Sequence, residues 1–457
     1  MSLVLGGGTV VRSLAPPDVV RADVIVEAGR IVSVGGPVPA AAARLDCDGC
    51  LVVPGNVCAH THLYSALARG MPYRLAPPRT FVEILRRVWW RLDRALDVRT
   101  IRASALVGGM EALLAGTTTL VDHHASPAAI DGSLDIVADA LGTLGIRSVL
   151  CYETTDRDGS ARARAGLAEN RRFAAAIARG GRPLARAMIG AHASFTLSEA
   201  TLEACAGAAR ELRSGLHVHV AEDAADEEDA VARFGVRVAN RLSAAGALDE
   251  RTLLAHGVHL DRSEVDLVRA AGATVVHNPR SNMNNAVGRA PLAALGKRVA
   301  LGTDGIGADM FEETRAAYLR RREEDLTTGP GWALDRLAES ARVAGDAFGE
   351  PLLGQIRPGA PADLVVLDYP SPSPLDGGTL AAHWLFGLSA ASVRDVVVGG
   401  DVVVAGRRHM RADEAALAAE ARVAARRLWA RLDEVGVHPF APPLIVGAAR
   451  DGPREEH

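Results

Sequence analysis

The sequence predicts an α/β protein: a (β/α)8 TIM-like barrel with a small β-sandwich domain built from both chain ends. Three observations predict it. Eight apolar, strand-like runs recur through the middle of the chain, mostly separated by Ala- and Leu-rich helical stretches. Short strands and tight turns occupy the two ends instead. Polar residues fall at the C-terminal ends of the central runs, where barrels of this kind carry their active sites.

Residues 1–55 read as strands and turns. "ADVIVEAGRIVSVGG" (22–36) has two apolar runs around a Gly-containing turn, as a hairpin would. "LDCDGCLVVPG" holds Cys47 and Cys50 as C-x-x-C. There is no second cysteine pair, so a polar Asp-Gly turn between strands explains it better than zinc. The central runs are LVVPGNV (51–57), TTTLVDH (117–123), RSVLCYE (147–153), RAMIGAH (186–192), GLHVHVA (215–221), TLLAHG (252–257), ATVVHN (273–278) and RVALGTD (298–304). Helical patterns lie between them, for example at 99–115, 161–179, 199–213 and 226–245. An open doubly wound sheet is the structural alternative, but no G-x-G-x-x-G follows the first strand. "GAPADLVVLDYP" (359–370) and "VRDVVVGGDVVVAGRR" (393–408) return to strands and turns, and can pair with the N-terminal strands. Residues 412–435 read as an amphipathic helix covering apolar surface. The expected division is 1–55 with 355–411 for the β domain, 56–354 for the barrel, and 412–457 for a helical tail.

Composition excludes several classes. At 457 residues, 48% hydrophobic and 23% charged, the chain suits an ordinary globular protein with a large core. A net charge of −4 gives no reason to expect a nucleic-acid partner. No apolar stretch is long enough to span a bilayer, and the N-terminus lacks the pattern of an export signal. Five sparse cysteines suit a reducing cytoplasm. Lys297 is the sole lysine.

The strand ends converge on one chemistry. The first run leads into His60 and His62, whose spacing of two puts both imidazoles on one face of an extended chain. The fifth carries His217 and His219, with Glu222 just beyond; the sixth ends in His256, the seventh in His277 and Asn278, the eighth in Asp304. Three histidines and a carboxylate, with room for a water, fit a catalytic divalent site. His217 lies deeper and reads as a hydrogen-bonded core histidine. His123 and His124 follow the second run, and at least one is expected to reach the pocket; His124 is the candidate substrate contact. His277 reads as structural, and Asn278 is a further candidate contact. Trp89 and Trp90 lie in the long segment after the first run; Trp89 is a candidate lid over a flat ring, with ordinary packing equally open. The acidic run Asp223–Asp229 is expected to favour a helix N-terminus and face water. The mixed charges of Arg320–Asp325 read as a solvated helix face.

"PG…HTH", "HVAE", "AHG", "HNP.SN" and "GTDG" occur in the order seen in the amidohydrolase superfamily, in its cytosine/guanine-deaminase-like branch. The resemblance covers nearly the whole chain, including "IRPGAPADLVVLD". "WWRLDRALD", "DHHASPAAIDGSL" and "CYETTDRDG" resemble the SsnA-type aminohydrolases, whose substrate is poorly defined. The resemblance implies His60, His62, His219 and Asp304 as metal ligands, Glu222 as proton shuttle and His256 as the second catalytic group. It makes His192, in "GAHASFTLS", a substrate contact. Binuclear members carry a carboxylated lysine after the fourth strand; none stands there, so one divalent ion, zinc or iron, is expected.

A bound divalent ion lowers the pKa of its water to about 7. The implied reaction is hydrolytic deamination of a nitrogen heterocycle such as an aminopurine or pterin. The alternatives are imidazolone-type ring opening, triazine dechlorination, and a non-catalytic scaffold, which would be expected to have lost ligands. A homodimer is expected from the resemblance alone.

Overall fold

The computed structural model describes residues 2–442, so the part of the predicted tail at 443–457 lies outside the described residues. The centre of the fold is a set of parallel strands: β1 (Asn56–Thr61), β2 (Thr117–His124), β3 (Arg147–Tyr152), β4 (Ala185–Ala187, resuming as Ile189–Ala193), β5 (Leu216–Val220), β6 (Leu253–His256), β7 (Thr274–His277) and β8 (Val299–Leu301). All eight residues of β2 are buried, as expected of a parallel strand covered on both faces. The strands form two arcs, one from β1 to the first piece of β4 and one from its second piece to β8. Hydrogen bonds join the arcs at both seams. The Thr303 and Asp304 amides donate to the His60 carbonyl (2.8 and 3.1 Å), and the His192 amide donates to the Thr154 carbonyl (2.9 Å). The architecture is TIM-barrel-like.

Helices begin and end where local chemistry directs. Val98–Leu114 starts at Asp97, which forms a capping box with Thr100, and Arg262–Ala271 starts at an Asp261–Glu264 box. The helical run expected over 226–245 is two helices, Ala224–Phe234 and Val238–Ala244. Gly235 lies between them at φ +70°, a left-handed stop that favours glycine.

The strand expected over 51–57 also divides. Leu51–Pro54 pairs antiparallel with Leu364–Leu367 and parallel with Thr9–Leu14, outside the central set. The hinge is Gly55, where a Cβ would fall 2.1 Å from Thr118 Oγ1; only glycine lets the chain pass that close. Strands from both chain ends build a seven-stranded sheet, and strands within residues 2–46 build a four-stranded sheet. These share a core that includes Leu5, Val24, Ile31, Val52, Leu364 and Val397. Cys47 and Cys50 flank a tight turn closed by a Cys50 N–H···O=C Cys47 bond of 2.9 Å, and all five cysteines are buried and free.

Helix Glu414–Glu434 buries Ala424, Leu428 and Leu432 in the same core as Leu92, Leu96 and Leu113. Two side chains fix it: Arg91 donates to the Val435 carbonyl (2.7 Å) and Trp429 Nε1 to the Leu67 carbonyl (2.9 Å). Among the described residues no helix is long and apolar enough to cross a membrane.

Candidate active site

The C-terminal ends of the parallel strands deliver five groups to one point. His62 Nε2 lies 3.1 Å from Asp304 Oδ1 and 3.1 Å from His219 Nε2, and His60 Nε2 lies 3.5 Å from Asp304 Oδ1. The ligand atoms of His60, His219, His256 and Asp304 all fall within 4.8 Å of one another. Backbone geometry aims them. Ala221, His256 and Asp304 adopt φ of +47°, +76° and +53°, a region costly for any residue with a Cβ and concentrated at functional sites. Gly302 is required as β8 approaches β1, because a Cβ there would lie 2.7 Å from His60 Cβ and 2.5 Å from Asn278 Oδ1.

A ring of secondary hydrogen bonds sets the tautomers. His62 Nδ1 donates to the His123 carbonyl (2.6 Å) and His219 Nδ1 to the His192 carbonyl (2.9 Å). His60 Nδ1 meets His217 Nε2 at 2.9 Å, and His256 Nδ1 donates to Asn282 Oδ1 (2.8 Å). Each ring therefore turns Nε2 toward the centre, and Nε2 of His60 and of His256 is buried without a partner. Burial holds His60 down to about 3 and keeps His219 and His256 below the usual imidazole range. For His62, burial is outweighed by Asp304, which raises it to about 9. Asp304 in turn is held well below the carboxylate range: burial opposes this, but the nearby His60 and His62 rings prevail. Four inward acceptors and one available proton describe a centre that fits a cation. Neutral imidazoles and one carboxylate are the donor set of zinc and of its borderline neighbours.

A second convergence, of His62, His123, Glu153 and His219, shares two members with the first. Both nitrogens of His123 are engaged: Nε2 by the carbonyls of Ala191 and His217 (3.2 Å each), and Nδ1 by Glu153 Oε2 (3.2 Å). It offers no free ligand atom to a second ion.

Glu222 stands beside the centre, its Oε2 3.5 Å from His256 Nε2 and its Oε1 accepting from Asn285 Nδ2 (3.4 Å). Burial, helped by the charge of Asp304, raises its pKa well above the ordinary value. Over these groups opens a cavity of about 640 Å³ including its mouth, walled on one side by Phe81, Leu85, Trp89, Trp90 and Phe195. His192 lines it, with Nδ1 held by Thr196 Oγ1 at 2.6 Å.

Some expected contacts lie elsewhere. His124 does not line the cavity; its Nε2 donates to Ser126 Oγ (3.0 Å), which turns the ring away. His123 is beneath the centre, so neither of the pair reaches the pocket. Asn278 is fully buried under β8, against Gly302, and also lies outside the lining. His217 is a core histidine, supporting His60. Trp90 is packed by His438 and Phe440 from behind, and Trp89 faces the cavity.

Other residues at the site were not anticipated. Glu153, at the end of β3, lines the cavity and accepts from Arg157 (2.9 Å). Ser281 donates to Asp304 Oδ2, while Asn282 and Asn285 hold His256 and Glu222. The usable signal was the polar cluster S-N-x-N-N (281–285) directly after β7. The acidic run also differs from expectation. Asp223 caps its helix as expected, but Asp226, Glu227 and Asp229 are buried. Asp226 accepts from the amides of Phe195 and Ala221 (2.9 Å each), which ties the strand ends on either side of the centre.

Comparison with known proteins agrees with this geometry. The sequence model of the Amidohydrolase family matches residues 51–403. A 5-methylthioadenosine/S-adenosylhomocysteine deaminase of Desulforudis audaxviator is 33% identical over 422 residues, 89% of this chain and 94% of that protein. A 5′-deoxyadenosine deaminase of Methanopyrus kandleri is 31% identical over 371 residues, 80% of this chain and 83% of that one. The crystal structure of an adenosine deaminase from Xanthomonas campestris with bound zinc superposes with a TM-score of 0.81 at 26% identity, covering 93% of this chain and 98% of that one. An atrazine chlorohydrolase from Arthrobacter aurescens TC1, complexed with zinc, has the same fold at 23% identity and TM-score 0.78, covering 93% and 100%. The family model spans most of the chain and the deaminases match it nearly end to end; the chain belongs to the amidohydrolase family, hydrolases of carbon–nitrogen bonds.

Proposed function

We propose that this protein is a hydrolytic deaminase that removes the exocyclic amino group of a purine or related aminoheterocycle as ammonia, using one divalent ion, most simply zinc. The reading takes the two arcs as one closed (β/α)8 barrel over 56–354 and the end-built sheets as a β-sandwich from 1–55 and 355–411. The seam hydrogen bonds and the shared core support it. One observation carries the chemistry: Glu222, which lines the cavity, stands 3.5 Å from the unpartnered Nε2 of His256 beside the cluster.

His60, His62, His219 and Asp304 would hold the ion. When bound, it supplies Lewis acidity that brings the pKa of its water to about 7. Asp304, kept ionised, takes a proton from the attacking water. His256 Nε2, which carries no proton, accepts a hydrogen bond from the incoming water and orients it. Glu222 would give a proton to the ring nitrogen beside the attacked carbon; the proton taken by Asp304 passes to the departing amine, and the one left on the added oxygen returns to Glu222 as the C–N bond breaks and ammonia leaves. The aromatic wall keeps the ring flat against the cluster and excludes bulk water. The deaminase names of the relatives over nearly the full chain support a purine ring.

The test is metal analysis with product analysis. Protein loaded to one zinc per chain is screened against aminopurines, adenosine-type nucleosides, pterins and aminopyrimidines. Free ammonia with an oxygen in place of the amino group is expected. An opened ring or released chloride from a chlorotriazine, without ammonia from any amine, would replace this reading with one of the other amidohydrolase reactions.

A further inference from the structure

The charge of the cavity wall carries an inference about the substrate. The lining includes the acidic residues Glu153, Glu222, Asp223, Asp226 and Asp304, of which Glu153 is paired with Arg157, Asp226 is engaged by two amides, and Asp223 accepts only from its own helix cap. Among the described residues, no lysine or arginine lines it. Arg157, just behind Glu153, could have served an anion, but it is spent. It is buried against Asp93, donates to Glu153 (2.9 Å) and lies 3.6 Å from Asp158. Arg86 and Arg87, on the segment that carries Trp89, are likewise engaged. Arg86 donates to the His438 carbonyl (2.8 Å), and Arg87 bonds Glu83 (2.8 Å) and the Ala76 carbonyl (2.9 Å). Arg233 and Arg280, on the opposite side, pair with Asp229 and with Glu312 and Glu313.

Resting on the deaminase reading above, we infer that the substrate of this site is an uncharged or cationic planar aminoheterocycle bearing no carboxylate or phosphate. A buried anion needs a compensating cation or several donors. A cation held by His60, His62, His219 and Asp304 would sit at the strand ends, and its charge would be spent first on Asp304. A carboxylate or phosphate in the cavity would meet Glu153 or Asp223 with no partner, and like charges at close range exclude it. A neutral ring loses nothing by entering and gains the aromatic wall; an amino or ring N–H edge gains acceptors.

The experiment uses charge-matched pairs: adenosine with adenosine 5′-monophosphate, and pterin with pterin-6-carboxylate. Ammonia release is measured on the zinc-loaded protein, and affinity by calorimetry on zinc-loaded Glu222→Gln protein, in which turnover is slow. In at least one pair the neutral member is expected to bind, with the anionic member at least 100-fold weaker in affinity and in kcat/KM. Asp223→Asn, which keeps the helix cap, is expected to narrow that ratio several-fold. An anionic member that binds or reacts as well as its neutral partner overturns the inference, as does the absence of binding by any neutral ring. If neutral rings bind selectively but no ammonia is released, the charge inference stands and the deaminase reading falls.

Discussion

In the proposed reaction, Glu222 is the residue on which the chemistry turns. Burial beside Asp304 raises its pKa above the ordinary value, and it is no part of the proposed four-ligand set. Replacing it by Gln keeps the shape and the Asn285 contact but removes the transferable proton. Glu222→Gln is therefore expected to lower kcat by about 10²-fold or more with metal content unchanged. Steady-state kinetics beside metal analysis checks both halves, and full activity in the variant would remove Glu222 from the role. At this scale legibility depended on backbone direction. His60, His62 and His219 are legible because period-two geometry on extended chain points them to one side, and His256 and Asp304 because they close the sixth and eighth apolar runs. His124 occupies the same kind of position on β2, but the Ser126 bond turns it aside, and no local pattern announces that. Glu153 was passed over because one acid at a strand end looks like any other until its partner Arg157 is seen folded beneath it.

Elements place these residues, and two positions show how. Asp226 belongs to helix Ala224–Phe234 yet caps two amides on other elements, Phe195 after β4 and Ala221 after β5. Asp226→Ala leaves both N–H groups buried without an acceptor. It is expected to cost about 2–5 kcal/mol of stability, read as a lowered urea midpoint. A midpoint unchanged from the parent would return the acidic run to the solvated role that its composition suggests. Gly302 is the second position. A methyl there meets His60 Cβ and backbone, so Gly302→Ala pushes β8 from β1 and separates Asp304 from His60 and His62. Loss of zinc loading is expected even where the circular dichroism spectrum is native. Strand and helix order was readable because apolar periodicity and caps are local signals. The division of 51–57 at Gly55 was hidden, since one apolar run serves two sheets and only the approach of Thr118 from β2 decides where it bends.

For the whole molecule, the proposed centre would work as a cross-link. His60 and His62 stand at the end of β1 in one arc, whereas His219 lies on β5 and Asp304 follows β8 in the other. Without a cation, the unpartnered Nε2 of His60 and the crowded Asp304 carboxylate weigh against bringing the arcs together. With one, the native state gains a ligand that the unfolded chain holds poorly, so stability rises by RT ln(1 + [M]/Kd), about 2.7 kcal/mol at a free metal concentration one hundred times Kd. Zinc added to metal-stripped protein is accordingly expected to raise the denaturation midpoint in a concentration-dependent way, and a chelator to reverse it. The same titration on two variants separates a cross-link from general metal adhesion to surface groups. His219→Ala removes a ligand from the second arc and should abolish the shift, whereas Glu222→Gln, which touches no ligand, should retain it. An equal shift in both variants would mean that the ion binds elsewhere and that the four ligands do not act as one site.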